Sequence, residues 1–544
     1  MRGRFAGVCG ALLLTTALTA LVTWPQVRFL STSLANHHDT AFSIWRLAWI
    51  AHALATAPFR VFDANIFHPA KDTLAFSDAT MLEGLLGTPL LWTGWPPALV
   101  YNGLLLAGYI GSGLGMFVLA RHVTRSNGPA LVAAAIFTVL PYRTEHVMHL
   151  ELQWAMFIPL TFWAFHRSVQ TPSNWWGALA GLCLSLQMLA CVYYGVFLSL
   201  ALVAFVPALL FLGPRQPLPS LVPVFLTTAL VCIVLIVPFA IPYARAAAEL
   251  GPRDVEEVTR YSARWSSYMA ASSSNVLWGW TADRFGSTEL RLFPGLTTLV
   301  LAAAALIVRP GRAVFLYGLT LALALELSFG LHGMLYRLLF SQVEAVQGFR
   351  ATARFAVVAS CALAVLAAVG TAHLLERMRG ERGRAIVLGA ILIAVAFEGA
   401  NRPMALMAAE PVAPPAAYQM IRSAAPGTVL ELPLPDLDRL PGWEPQYQLW
   451  SIWHWKPLVN GYSGYYPADY RLTVLRMEVF PESGTLDRLR AHGVRYIVVH
   501  RAFYDRDAHA RLMLRMASRP ELKPWGAYQD PVGMADLFEL IPVD

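Results

Sequence analysis

Two histidines and an aspartate, His37, His38 and Asp39, follow the first long apolar run of the 544-residue sequence. A carboxylate in such a set can accept a proton from an attacking hydroxyl group, and together with imidazole nitrogen atoms it can bind a divalent cation. The alternative is structural: Asp39 caps the helix that the following residues predict, and the histidines are solvated. Because one carboxylate can serve in both ways, the residues alone leave the two roles open.

A second group of ionisable residues lies between two apolar runs, in the segment Arg143-Thr-Glu145-His146 and at His149 and Glu151. Such residues at a membrane boundary are costly unless they pair or have a function. On a helix, His146 and His149 would share a face, and a neighbouring glutamate would complete a set of metal ligands. We therefore predict a divalent-cation site at His146, His149 and Glu151, with a simple cluster of ion pairs as the alternative. Arg143 is a candidate for substrate binding.

Arginine and aromatic side chains near other predicted boundaries are suited to anions and to flat rings. Arg350 and Arg354 lie at the start of a late apolar run, and the planar guanidinium group can bind a phosphate through two parallel hydrogen bonds. Contact with lipid headgroups is the alternative. Tyr194 and Trp265 can stack on a sugar ring, or they belong to the aromatic belt of a membrane protein.

The elements that must position these residues are mostly membrane-spanning helices. The sequence is 56% hydrophobic and only 14% charged, whereas a soluble domain carries roughly 25% charged residues. The apolar runs approach the ~20 residues that cross a bilayer, and they lie at 8–24, 98–120, 128–142, 152–166, 175–192, 194–213, 219–242, 293–309, 312–330, 353–375 and 384–401. The first run is alternatively a cleaved signal peptide. We predict a polytopic α-helical membrane protein with about eleven spanning helices.

The distribution of arginine predicts the orientation in the membrane. With the N-terminus in the cytoplasm, the loops that face the cytoplasm contain most of the loop arginines, as the positive-inside rule requires. These arginines are Arg121, Arg125, Arg167, Arg215, Arg309, Arg312, Arg377, Arg379, Arg382 and Arg384. The first long loop, 25–97, and the C-terminal residues then lie outside the cytoplasm of a bacterial inner (plasma) membrane. No basic stripe with interleaved aromatic residues indicates a nucleic-acid partner.

The predicted extracytoplasmic segments have patterns of their own. Residues 41–57 of the first outer loop predict an amphipathic helix that lies on the membrane surface. Three C-terminal segments have the β-branched or alternating apolar pattern of strands, namely 428–434, 494–500 and 535–541. We therefore predict a transmembrane domain at 1–402, which carries the first outer loop, and an extracytoplasmic α/β domain at 403–544.

The order of these parts resembles the GT-C superfold of polyprenyl-phosphate-dependent membrane glycosyltransferases. The residues that carry the resemblance are Asp39 with the helix at 41–57, the segment NIFHPAKDTLAFSD at 65–78, and the segment GFRATAR at 348–354. The resemblance covers most of residues 1–402. It implies that a sugar is transferred from a polyprenyl-phosphate donor to a glycan, lipid or protein acceptor at the outer membrane face.

The resemblance also implies roles for particular residues. Asp39 corresponds to the acidic residue that serves as base or metal partner, and Arg350 or Arg354 to the basic residue that holds the carrier phosphate. A second acid is implied deeper in the outer cavity, with candidates at Asp63, Asp72, Asp78 and Glu151. A divalent cation, Mg or Mn, is a further expectation. The alternatives are a transporter or flippase of lipid-linked sugar, which predicts inverted repeats that the sequence does not show, and a non-catalytic membrane scaffold.

Overall fold

The computed structural model describes residues 2–308 and 310–541. Arg309, one of the arginines that predict the orientation, lies outside the described residues. The chain folds into two compact units. Unit 1 comprises Met1–Leu30, Asn102–Ala240 and Gly251–Leu406, and unit 2 comprises Ser31–Tyr101, Ile241–Leu250 and Met407–Asp544. Most of the predicted first outer loop therefore belongs to the same compact unit as the C-terminal residues.

Unit 1 is built from helices that follow the apolar runs of the sequence, because a helix satisfies its own backbone hydrogen bonds in a lipid environment. The longer helices are Arg2–Val22, Pro97–Thr124, Asn127–Thr138, Phe157–Gln170, Asn174–Ala190, Val192–Leu212, Leu218–Leu250, Leu296–Val308, Arg312–Ser328, Ala356–Glu376 and Glu381–Glu398. The connections contain the short helices Pro141–Glu145, Leu150–Gln153, Val255–Arg260, Ala282–Phe285 and Leu335–Gln342. Pro97–Thr124 and Leu218–Leu250 continue into unit 2.

Within the described residues, five helices are long and apolar enough to cross a membrane, and the protein is a multi-pass membrane protein. They are Phe5–Val22, Pro97–Thr124, Val192–Leu212, Leu218–Leu250 and Thr352–Glu376. Each of the other predicted spans coincides with a helix that is shorter or less apolar. One example is the helix Leu296–Val308, which has only 13 residues. The larger number of spans, about eleven, stays a prediction.

The helix Ala356–Glu376 lies at the centre of unit 1 and is buried along most of its length. It packs against Leu296–Val308, Arg312–Ser328 and Asn127–Thr138. At Gly370 a Cβ atom would lie 2.0 Å from the carbonyl oxygen of Leu301, so the two backbones can approach closely only because this residue is glycine. This close contact holds the C-terminal part of the helix, whereas Arg354 lies just before its first residue, in the short 3-10 helix Thr352–Phe355.

Unit 2 combines helices with a mixed sheet of four strands. Its helices of seven or more residues are His38–Thr56, Met81–Trp92, Ala416–Ser423, Glu444–Trp450, Ala468–Met477, Ser483–Ala491 and Arg506–Ala517. Its strands, in their order across the sheet, are Thr428–Leu432, Val494–His500, Gly533–Leu540 and Leu522–Asp530. The first pair is parallel and the other two pairs are antiparallel. A further short strand, Ser33–Ala35, pairs with Leu406–Ala408.

The predicted surface helix at 41–57 is the helix His38–Thr56, and most of its apolar face is covered by protein. The helix is buried inside unit 2, where it packs against Met81–Trp92 and Glu444–Trp450. The indole nitrogen of Trp45, which is fully buried, donates a hydrogen bond to Asn65 over 3.2 Å. Contacts with protein on several sides therefore take the place of the lipid that an amphipathic pattern suggests.

A network of buried ionisable side chains lies beside the sheet of unit 2. The imidazole of His500 contacts Asp530 Oδ2 and Glu431 Oε2, each over 2.6 Å, and all three side chains are fully buried. Tyr418 donates a hydrogen bond to the same glutamate oxygen over 2.8 Å. Burial lowers the pKa of His500, but the hydrogen bonds to Asp530 and Glu431 outweigh it, so that its pKa is raised above 6.5. Burial raises the pKa of Glu444 to about 8.

We expect the stability of unit 2 to fall as the pH rises from about 4.5 to about 8, the unfolded and folded pKa values of Glu444. Glu444 and His500 bind a proton more tightly in the folded than in the unfolded state. Their contribution to the free energy of unfolding is therefore complete at a pH below the pKa of the unfolded state. It is lost as the pH rises through the pKa of the folded state. Each proton changes the free energy of unfolding by about 1.4 kcal/mol per pH unit. Thermal unfolding of the full chain in lipid nanodiscs checks this. Glu444→Gln should flatten the dependence, and an equally steep curve would contradict the role of Glu444.

Candidate functional site

Asp39 lies in the first turn of the helix His38–Thr56, and its carboxylate is held in place by contacts within unit 2. The hydroxyl group of Tyr462 donates a hydrogen bond to Asp39 Oδ1 over 2.5 Å. His37 is the N-cap of the helix, because its Nδ1 accepts the backbone N–H of Asp39 over 3.1 Å. The predicted capping role of Asp39 is therefore wrong, since His37 takes that role. The positive end of the helix dipole favours the negative charge of Asp39.

The set His37, His38 and Asp39 fits a divalent cation. One ligand atom from each side chain lies within 4.8 Å of the others, and His38 Nε2 lies 3.9 Å from Asp39 Oδ2. The two imidazoles suit a metal such as Zn²⁺, whereas the carboxylate also suits Mg²⁺ or Mn²⁺. Mg and Mn, the two metals expected from the sequence, both stay predictions for this group of residues.

Tyr462 reaches Asp39 because its loop is held by buried polar side chains. The backbone N–H of Tyr462 donates to Gln448 Oε1 over 2.7 Å, and that of Gly461 donates to Glu444 Oε2 over 2.8 Å. A Cβ atom at Gly461 would lie 2.8 Å from the ring of Phe67, so glycine is required there. The loop is thus fixed in one position, and the Tyr462 ring also meets Phe42 edge-on at 5.2 Å.

Removing the hydroxyl group that fixes Asp39 tests this geometry. A hydrogen bond to a charged group is worth about 1.5–3 kcal/mol, so we expect Tyr462→Phe to lower kcat by roughly 10- to 100-fold with a smaller change in KM. Steady-state kinetics of the variant in nanodiscs checks this split. Tyr466→Phe, in the same loop, is the matched control and should leave kcat unchanged. Equal losses in both variants would mean that the loop is only structural.

The candidates for a second acid in unit 2 have other partners. Arg245 binds both carboxylate oxygens of Asp72 at 2.7 Å, and Asp63 Oδ1 accepts the backbone N–H of Asp72 over 3.1 Å. Asp78 is buried, and its carbonyl oxygen accepts a hydrogen bond from Arg46. Among the residues that the structure describes, no second carboxylate joins the group of ligand atoms around Asp39.

In unit 1 the two candidate phosphate-binding arginines are each paired with a glutamate. Arg354 Nε lies 2.7 Å from Glu289 Oε1, with 10% and 13% of the two side chains exposed. Arg350 Nη1 lies 2.9 Å from Glu257 Oε1, and this pair is more exposed. Tyr193 contacts both arginines. The guanidinium group of Arg354 lies 4.7 Å from the centre of the Tyr193 ring, and the hydroxyl oxygen of Tyr193 accepts the backbone N–H of Arg350 over 3.4 Å.

The pair of Arg354 and Glu289 lies in a buried polar cluster with spare hydrogen-bonding capacity. Tyr142 donates to Glu289 over 3.4 Å, and His146 Nδ1 lies 3.9 Å from the same carboxylate. Burial lowers the pKa of His146 to about 4, so its imidazole is neutral near pH 7. Burial opposes ionisation of Glu289, but the guanidinium group of Arg354 outweighs it and holds the pKa of Glu289 well below 4.5. Both ring nitrogens of His146 and the hydroxyl group of Tyr194 are buried without a hydrogen-bond partner in the described structure.

The other predicted substrate-binding residues in unit 1 lie in different surroundings. Arg143 is fully buried and donates to the carbonyl oxygens of Phe137 and Gln153 at 2.9 and 2.7 Å, so it joins chain segments. Trp265 is 69% exposed and packs edge-on against Phe329 at 4.7 Å between ring centres. Tyr194 alone of these belongs to the buried cluster around Arg354.

The predicted metal ligands His146, His149 and Glu151 do not form such a group among the described residues. The helix Pro141–Glu145 ends before His146, and the next short helix begins at Leu150. The two histidines therefore lie in a turn and not on one helical face, with their ring centres 5.4 Å apart. The preceding acid, Glu145, pairs with Arg291 and accepts a hydrogen bond from Ser272.

Comparisons with known proteins identify the fold. No protein-family model matches the sequence, and no curated protein matches it. The arabinofuranosyltransferase AftD from Mycobacteria matches over 99% of this chain with a TM-score of 0.62 and 13% identity, and this chain spans 40% of the length of AftD. ArnT from Cupriavidus metallidurans in the apo state matches over 98% of this chain and 99% of its own, with a TM-score of 0.50 and 13% identity.

The chain is thus a multi-pass membrane protein with the GT-C fold, as the sequence predicted. Likeness at 13% identity establishes the fold and leaves the reaction to be argued from the site residues. These residues form two groups, one around Asp39 in unit 2 and one around Arg354 in unit 1.

Proposed function

We propose that the protein transfers a sugar from a polyprenyl-phosphate donor to a glycan, lipid or protein acceptor on the extracytoplasmic side of a bacterial inner membrane. The observation that carries the proposal is Asp39, whose carboxylate is fixed at a helix N-terminus by Tyr462 in a chain with the GT-C fold. Arg350 and Arg354 support it, because a lipid-linked donor leaves as a phosphate and guanidinium groups bind phosphate well.

In the proposed reaction the acceptor oxygen attacks the anomeric carbon of the donor and forms the new glycosidic bond. The bond from that carbon to the phosphate oxygen breaks, and polyprenyl phosphate leaves with the electron pair. Asp39 takes the proton of the acceptor hydroxyl group, and the arginines stabilise the charge on the phosphate. A divalent cation held by His37, His38 and Asp39 would supply Lewis acidity toward the acceptor oxygen.

Release of the lipid carrier provides a test that does not require the acceptor to be known beforehand. The full chain in nanodiscs is incubated with synthetic decaprenyl-phosphoryl pentoses and hexoses and with a membrane extract as acceptor. We expect decaprenyl phosphate to appear by mass spectrometry with at least one donor, and only when the protein is present. Movement of intact donor across a liposome bilayer without any release would instead identify a transporter.

A further inference from the structure

A pocket with a volume of about 410 Å³ lies within unit 2, apart from the residues around Asp39 described above. One wall is the helix His38–Thr56, through Ile44, Ala48 and His52, and the others come from residues 91–98, 410–412 and 449–455. Its volume falls within the range of sites that bind small molecules. Most of its lining is apolar, and Glu410 and His52 are the ionisable side chains among the described residues that line it.

Three tryptophans, Trp92, Trp453 and Trp455, give the pocket broad aromatic surfaces. The ring of Trp455 is stacked on the ring of His52, with the ring centres 4.3 Å apart and an angle of 11° between the planes. Trp92 is 59% exposed, although its indole nitrogen donates to the carbonyl oxygen of Ala51 over 3.0 Å. Flat apolar faces next to a few polar groups suit the apolar face of a sugar ring, whose rim carries hydroxyl groups.

The backbone of Trp455 supports a binding role. Its φ angle is +55°, in the left-handed region that bulky side chains rarely adopt. Strained backbone conformations are enriched at active sites and ligand-binding segments. Here the unusual conformation directs a large aromatic ring onto His52 at the wall of the pocket.

Charge decides which sugars fit. No lysine or arginine is among the described residues that line the pocket, and burial lowers the pKa of His52, which is neutral near pH 7. Burial raises the pKa of Glu410, and its carboxyl oxygen atoms accept hydrogen bonds from neighbouring hydroxyl groups. A phosphate or a sugar acid would bring a negative charge next to this acid, where no cation of the described lining compensates it.

We propose that this pocket binds one uncharged sugar unit, stacked on the tryptophans and hydrogen-bonded to Glu410. The pocket is a binding site and does not depend on the proposed transfer reaction, since none of its residues is assigned a part in the chemistry. An isoprenoid or acyl chain is the competing occupant, because it would use the aromatic walls and form no hydrogen bond with Glu410.

Saturation-transfer NMR on the full chain in nanodiscs tests the proposal, since a maltoside detergent would itself supply a sugar. The probes are methyl β-glucopyranoside, methyl α-arabinofuranoside, glucose 6-phosphate and farnesol. We expect ring-proton signals from at least one neutral glycoside and none from the phosphate. Glu410→Gln and Trp92→Ala should each weaken that binding at least about tenfold, whereas Trp175→Ala, an exposed tryptophan of unit 1, should not.

The outcomes separate the alternatives. Absence of signal from both neutral glycosides would overturn the proposal, as would sugar binding that is unchanged in both pocket variants. Binding of farnesol that Trp92→Ala weakens and Glu410→Gln does not would identify a lipid pocket instead. The Asp39→Asn variant should bind the glycoside as tightly as the unaltered protein does. Sugar binding in the pocket can therefore be judged even if the transfer assay fails.

Discussion

Replacing Asp39 with asparagine should lower the rate of sugar transfer by about 10²- to 10⁴-fold, the usual contribution of a general base. Asparagine has the same shape and still offers an oxygen to the hydroxyl group of Tyr462, which donates to Asp39 over 2.5 Å. The variant should therefore fold normally and bind the donor. Initial rates of decaprenyl phosphate release measure the effect. Asp487→Asn, an exposed carboxylate of unit 2, is the control and should retain full activity.

Chelation distinguishes a base from a metal ligand at this position. If Asp39 holds a cation with His37 and His38, EDTA and His38→Ala should both lower the rate, and Mn²⁺ should restore the chelated protein. If Asp39 acts only as a base, chelation should have no effect while Asp39→Asn remains inactive. Transfer at the unaltered rate by Asp39→Asn would contradict both roles and the proposed function with them.

Replacing Arg354 with methionine should destabilise the protein by about 3–5 kcal/mol, because it leaves a buried charge unpaired. Its partner Glu289 lies 2.7 Å away, and only 13% of that side chain is exposed. The same change should abolish donor binding if Arg354 holds the lipid phosphate. Thermal unfolding and donor affinity, measured on one preparation in nanodiscs, report the two effects separately.

The double variant Arg354→Met/Glu289→Gln separates structure from binding. Without the unpaired charge it should recover most of the lost stability. If Arg354 binds the donor phosphate, affinity for the donor should remain lost, whereas full recovery of affinity would show that the arginine has only a structural role. Arg350→Met is the matched comparison, since its more exposed pair with Glu257 is worth about 0–1 kcal/mol.

The helices were predictable because the apolar runs that specify them are local features of the sequence. The strands Thr428–Leu432 and Val494–His500 were predictable for the same reason, since their residues are almost all buried. Leu522–Asp530 was missed because it contains Pro524 and Gly526, which are depleted in strands, and its ladder is irregular at those residues. The cap of the His38 helix was misassigned because histidine is not among the usual capping residues.

The partners of the site residues were not predictable, because they depend on contacts that no local pattern reports. Tyr462 lies 423 residues from Asp39 in the sequence, and the tyrosine-rich segment around it is equally typical of a packed turn. Glu289 is 65 residues from Arg354 and lies in a connection without periodicity. The sequence therefore indicated which residues have useful chemistry, and the tertiary structure indicated which of them are paired.

The most direct test of the proposed function is an experimental structure of the full chain in nanodiscs with decaprenyl phosphate added. We predict that the phosphate lies within hydrogen-bonding distance of Arg354 or Arg350, with the lipid chain leading from it into the bilayer. A phosphate bound elsewhere, or none bound at all, would contradict the assignment of these arginines to the donor and would favour a transporter or a non-catalytic scaffold.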